Sequence, residues 1–202
     1  MTSTPAIESL SVVTRADGVS GPPQGQWTYA DYAALPLDDL LRYEVMEGVL
    51  YMAPAPTPDH QSTSNLLATY LTMHIQFKGL GRVFTAPIDV ELPTGDVVQP
   101  DVIVILAANL HIISEKRILG APDLVAEIAS PGTASYDRRA KQDAYARAGV
   151  REYWLVDPAA RTVEVLTLDA GQYRQVGVYA GPSGIASQVL PPLPVRVAQF
   201  FS

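Results

Sequence analysis

The sequence contains no cysteine. That excludes disulfides and thiolate zinc centres, and it suits a reducing compartment, so a cytoplasmic location is expected. Histidine is scarce, at three residues. His74 and His111 have no acid or second histidine at ligand spacing, which points to structural roles for both. Positive charge is also short: 14 Lys and Arg stand against 21 Asp and Glu, a net charge of −7. A chain that covers nucleic acid with a broad surface is usually basic. Any nucleic-acid site here must therefore be a local basic groove, which net charge does not exclude. No apolar run approaches the length of a membrane span, and the first residues lack the basic start of a signal peptide. No membrane association is expected.

What is present is enough for one globular domain. The chain has 202 residues, 48% of them hydrophobic, which gives room for a sizeable core. Residues 1–26 are rich in Ser, Thr, Gly and Pro and are expected to form a flexible tail. Residues 27–202 are expected to form a single domain. Thr28 can cap a short helix over Tyr29–Ala34, and Leu37–Arg42 can add another turn. Two extended runs flank Glu47-Gly48, the pattern of a two-residue hairpin. Thr57 followed by Pro58 is a strong helix start, and Leu66, Leu67, Tyr70, Leu71 and Ile75 form its apolar stripe.

Val102–Leu106 is the most β-branched run and reads as a strand. Leu124–Ala129 reads as a second buried strand. Ser130-Pro131-Gly132-Thr133 breaks it, and a helix over 134–148 ends at Gly149. Glu152–Val156 is a further apolar strand. Val163–Leu168 and Tyr173–Val178 form a second hairpin. The fold class is therefore α+β, with a mixed central sheet flanked by helices and with hairpins at the edges.

Two acids sit on the apolar runs. Asp101 precedes the first and Glu127 lies within the second. An unpartnered carboxylate in an apolar interior is very costly, so Glu127 needs a metal, a cation or an open cleft. If the two strands are neighbours, Asp101 and Glu127 can converge on one divalent ion. Magnesium prefers a few carboxylates, several waters and substrate phosphate oxygens. Two such carboxylates repel, so at least one is expected to have a raised pKa.

Asp137, Lys141 and Tyr145 lie four apart on the following helix and share a face. Lys141, taken as a helix-surface lysine, can then orient a water or meet developing charge on a phosphate. Glu44 can point into the same cleft, and His60 stands at a helix start that can face it. Asp123 shares a strand face with Glu127 by period two and is the competing acid. Arg138, Arg139, Arg147 and Arg151 give the helix a basic stripe that can approach phosphates. Tyr145, Tyr153 and Trp154 read as packing residues rather than base-stacking platforms.

Taken together, these stretches resemble a known pattern. Asp101, Glu127 and Lys141 are similar to the core of the PD-(D/E)XK nuclease superfamily. More narrowly, the chain resembles the bacterial restriction endonuclease-like family often called Uma-two. The matching stretches are Tyr43–Gly48, Ala53–Pro56 with His60-Gln61, Gln99–Asp101, Ala121–Pro131, Asp137 with Lys141 and Tyr145, and Gly149–Pro158. The resemblance runs from about Thr28 to the C-terminus.

It implies a restriction-endonuclease-like core and a metal-dependent endonuclease acting on DNA. In that reading Asp101 and Glu127 hold Mg2+ or Mn2+, and Glu44 and Lys141 act beside them. His60, Asp137 and Tyr145 are auxiliary, and a homodimer is common among such proteins. The sequence departs from the superfamily at one point. The motif wants acid-x-Lys, and here it reads Glu127-Ile128-Ala129. Relatives that move the lysine to the next helix make Lys141 its counterpart, and Lys141 and Tyr145 keep the spacing of a Gln-x-x-x-Tyr motif. The competing reading is a non-catalytic interaction module on the same fold, binding nucleic acid or protein. A hydrolase of small phosphoesters is a third.

Overall fold

The computed structural model describes residues 12–36, 41–130 and 137–201, with the side chains of residues 137 and 138 outside that description. The chain folds as α+β around two six-stranded mixed sheets. The sequence led us to expect one sheet. The second is assembled from strands as short as two residues, too brief to show a period.

The central sheet is built from β4 (Gly81–Thr85), β7 (Val102–Leu106), β9 (Leu124–Ile128), β10 (Glu152–Asp157), β11 (Thr162–Asp169) and β12 (Gln172–Ala180). Its order is β12-β11-β10-β9-β7-β4. β9 and β10 are parallel and the other pairs antiparallel. The parallel pair needs a crossover, which contains a single π-helical turn at Asp137–Lys141 and the helix α3 (Gln142–Ala148). Gly149 closes α3 with φ 87°, a left-handed conformation that glycine adopts without a Cβ penalty. Residues 134–136 of the expected helix lie outside the described residues.

Both faces of this sheet are covered, which explains its continuous apolar runs. On one face Val102, Val104, Leu124, Ala126 and Ile128 pack with Leu67, Leu71 and Ile75 of α2 (Pro58–Leu71) and its π-turn extension. On the other, Ile103, Ile105, Val125, Tyr153 and Leu155 pack with Ala144, Tyr145 and Ala148 of α3. Strand parity then places Asp101 and Glu127 on the α3 face. Tyr145, Tyr153 and Trp154 are fully buried, as expected of core residues.

The second sheet runs β1-β3-β2-β6-β5-β8. Its strands are β1 (Thr14–Arg15), β2 (Arg42–Met46), β3 (Val49–Ala53), β5 (Val90–Glu91), β6 (Val97–Val98) and β8 (Ile118–Leu119). The expected hairpin is present as β2–β3. Glu47 and Gly48 have φ of 51° and 70°, the signature of a two-residue turn with both φ positive. Arg42 opens β2 rather than ending a helical turn, and 37–40 lie outside the described residues. The hairpin β11–β12 forms the edge of the central sheet.

Part of the stretch expected as a tail is structured. β1 pairs with β3, Ala16 donates its N–H to the Leu50 carbonyl, and Gly25 donates to Gly48. Residues 1–11 lie outside the described residues. The short helix α1 (Tyr29–Ala33) carries a reciprocal cap between Thr28 and Asp31. Among the described residues, no helix is long and apolar enough to cross a membrane.

Candidate active site

Val102 of β7 stands opposite Ala126 of β9 in antiparallel register. Asp101 is the residue before Val102 and Glu127 the residue after Ala126, so the two acids lie at the same end of the strand pair. The Ile128 N–H donates to Asp101 Oδ2 at 2.9 Å, which ties the end of one strand to the other. Both acids line one small cleft, together with Arg42, Glu44, His60, Ser130 and Lys141. The free space for water-sized occupants is about 30 Å3, room for about two of them.

Four elements deliver these groups. β2 alternates, so Arg42 and Glu44 share a face. The first turn of α2 brings His60, whose N–H donates to the Thr57 hydroxyl that caps the helix. The π turn and α3 bring Lys141 and Tyr145.

Three carboxylates face an arginine, a lysine and a histidine. Asp101 Oδ2 lies 3.0 Å from His60 Nε2, and Asp101 Oδ1 lies 3.4 Å from Arg42 Nη1. Lys141 Nζ sits between two carboxylates, 2.9 Å from Glu44 Oε1 and 3.1 Å from Glu127 Oε1. Tyr145 donates its hydroxyl to Glu127 Oε1 at 2.6 Å. Burial pushes the Tyr145 hydroxyl well up, with the charges of Glu127 and Glu44 adding to it, so it stays protonated as a donor.

Lys141 was expected on the helix surface. It is instead only 6% exposed, because the π turn and α3 lay it across the strand that carries Glu127. Asp137 begins the same π turn, but its side chain lies outside the described residues.

The expectation of a raised pKa is not met at Asp101. Burial pushes this carboxyl up, but the His60 hydrogen bond and the charges of His60, Arg42 and Lys141 outweigh it and bring it down to about 2. The sign for stability follows. The folded value of about 2 lies below the ordinary 3.8, so the contribution is complete above about pH 4 and is lost as pH falls toward 2. Parent and Asp101→Asn, unfolded with urea in chelator, should differ by an amount that shrinks by about 2 kcal/mol over that window. A difference that stays constant from pH 5 to pH 2 would refute this assignment.

Asp123, the competing acid, belongs elsewhere. It lies at the other end of β9, accepts the Leu106 N–H at 2.6 Å and Asn109 Nδ2 at 2.7 Å, and pairs with Arg151. It is a structural fastener. Arg147 pairs with Glu47 and Asp96 at 3.3 and 3.5 Å. Arg147 and Arg151 are thus engaged by acids rather than offered to phosphates.

Two residues of the site escaped the sequence reading. Arg42 binds Asp101 and donates from Nη2 to the Gln99 carbonyl at 2.7 Å. Gln99 donates its backbone N–H to Glu44 Oε1 at 2.9 Å. The period-two spacing of Arg42 and Glu44 was the available signal, and it was lost when Arg42 was placed in a helical turn.

The sequence profile of the family described as Uma2, putative restriction endonuclease, matches residues 29–198. The chain belongs to this family. Among solved structures, it is similar to the crystal structure of a protein described as a putative nuclease belonging to DUF820 from Anabaena variabilis ATCC 29413. The two share 19% identity with a TM-score of 0.69, over 86% of this chain and 97% of the other. That likeness establishes a shared fold. No curated protein matches the chain.

The donor set of the cleft suits a hard divalent cation. Glu44, Asp101 and Glu127 present carboxylate oxygens, and an ammonium already sits between two of them, so the cluster selects positive charge. Among the described residues no three His, Asp or Glu side chains form a ready ligand cluster. A metal here would rest on two carboxylates and fill its remaining positions with water and substrate oxygens, which is the habit of magnesium.

Proposed function

We propose that this Uma2 protein is a metal-dependent endonuclease that hydrolyses phosphodiester bonds of DNA. The observation behind this reading is the one cleft that Asp101 and Glu127 line together, with Lys141 buried against Glu127. Asp101 and Glu127 would hold Mg2+ or Mn2+. When bound, the metal supplies charge neutralisation at the phosphate and a more acidic water.

The chain's own groups do the rest. Arg42 and His60 keep Asp101 ionised and fix its two oxygens. The Tyr145 hydroxyl orients Glu127. The Lys141 ammonium, with no strand lysine after Glu127, is the cation placed to meet charge that develops on a phosphate oxygen. Glu44 holds that ammonium in place, with its Oε1 2.9 Å from Nζ. The Anabaena protein described as a putative nuclease shares this fold, which agrees with a phosphodiester substrate.

The interaction-module reading draws on one observation, the ion pairs that Lys141 makes with both Glu44 and Glu127. The two separate in one assay. Supercoiled plasmid should be nicked with manganese or magnesium and left intact with chelator, while bis(p-nitrophenyl) phosphate should be turned over far more slowly. Failure to cleave any DNA at saturating manganese would leave the module.

A further inference from the structure

Beside the cleft lies a second, larger groove of about 790 Å3, and the two share Arg42, Ala55 and Pro56 as common wall. Its lining is unlike the cleft. Tyr32 and Tyr43 supply rings, the Tyr29 ring being covered on one face by the Arg117 guanidinium at 3.8 Å, while Lys116 and Arg42 supply positive charge and Asp89 and Gln99 supply polar groups.

The polar groups form a fixed set. Tyr32 donates its hydroxyl to Asp89 Oδ1 at 2.7 Å, and Gln99 Nε2 donates to both Tyr32 and Asp89 Oδ1 at 3.0 and 2.9 Å. The tyrosine proton and the Gln99 amide are thereby committed. Among the described residues no hydrogen bond engages Asp89 Oδ2 or Gln99 Oε1, which leaves both as acceptors for a ligand. Gln99 also joins the two sites, because its backbone N–H and carbonyl bind Glu44 and Arg42 in the cleft.

We propose that this groove is a base pocket. It takes the unpaired base of a nucleotide next to the phosphate held in the cleft, and it selects bases that carry an exocyclic amino group. The proposal rests on the nuclease reading of the cleft and adds its specificity. Tyrosine rings stack bases without regard to sequence. Lys116, on the groove wall, suits a flanking phosphate. The acceptor set adds discrimination: adenine and cytosine present an amino group, whereas thymine presents carbonyl oxygens on either side of its one N–H. A paired base has that edge already occupied, so the pocket favours single-stranded or locally opened DNA.

The test is fluorescence anisotropy of short single-stranded dA, dC and dT oligonucleotides with the full chain, in calcium, where binding is read without turnover. The dA and dC strands should bind about tenfold more tightly than dT. Asp89→Asn, which turns an acceptor into a donor, should remove that preference. Tyr43→Leu should weaken all three by about tenfold without changing their order. Annealing the strands into duplex should weaken binding. Equal binding of the three strands by the parent, an unchanged preference in Asp89→Asn, or duplex bound as well as single strand would each overturn the pocket. Plasmid cleavage without base preference refutes the pocket and leaves the nuclease. Base preference without cleavage of any DNA keeps the pocket and refutes the nuclease.

Discussion

Lys141→Met should lower the unfolding free energy by about 3–5 kcal/mol in chelator, the range for removing one partner of a buried ion pair. Methionine keeps much of the stem, so the loss is one of charge. The parent ammonium lies 2.9 Å from Glu44 Oε1 and 3.1 Å from Glu127 Oε1, with 7% of its side chain exposed. Without it, two buried carboxylates face each other. A solvated lysine on a helix surface would cost under about 1 kcal/mol, and the gap between these figures makes the variant informative.

Manganese should restore much of the loss. A ligand bound to the folded state at a hundred times its dissociation constant stabilises by about 2.7 kcal/mol. The parent should gain less, since its lysine already offsets one of the two carboxylate charges. Urea midpoints for both proteins, in chelator and in manganese, check all of this. Equal stability of parent and variant in chelator would show that Lys141 does not neutralise a buried pair.

Glu127→Gln should reduce plasmid cleavage by on the order of 10³-fold or more, since both metal holding and charge stabilisation at the phosphate are affected. The fold should tolerate it. Glutamine keeps the volume and an oxygen that accepts from Tyr145, whose hydroxyl donates at 2.6 Å in the parent. Lys141 keeps Glu44 as its counter-ion. Loss of activity with an unchanged urea midpoint therefore separates a chemical role from a structural one. Cleavage within about threefold of the parent would remove Glu127 from the reaction.

The parts of this molecule that could be read from the chain are those governed by local rules. Thr57-Pro58 started α2, Glu47-Gly48 turned a hairpin, and Gly149 stopped α3. Asp101 and Glu127 stood out because each carboxylate was joined to an apolar run, and the register brings those runs side by side. What could not be read depended on pairing across the chain. The second sheet joins strands of two residues, such as β5 and β8, that no periodicity marks. Asp101 carries a low pKa because Arg42 and His60, 59 and 41 residues away in sequence, close on it. Lys141 passed for a surface residue because helical spacing shows which face it shares but not what covers that face. The groove beside the cleft depends on Asp89, Gln99 and Tyr32 meeting across as many as 67 residues, and neither Tyr32 nor Asp89 belongs to a motif.

Asp101 and Glu127 are proposed to hold a divalent metal together. Calorimetric titration of manganese into the parent and into Glu127→Gln, at neutral pH and without nucleic acid, tests this most directly. The parent should bind at one site per chain, with affinity reduced at least about tenfold in the variant, a loss of about 1.4 kcal/mol. A parent that binds no manganese, or a variant that binds it as tightly as the parent, would contradict it.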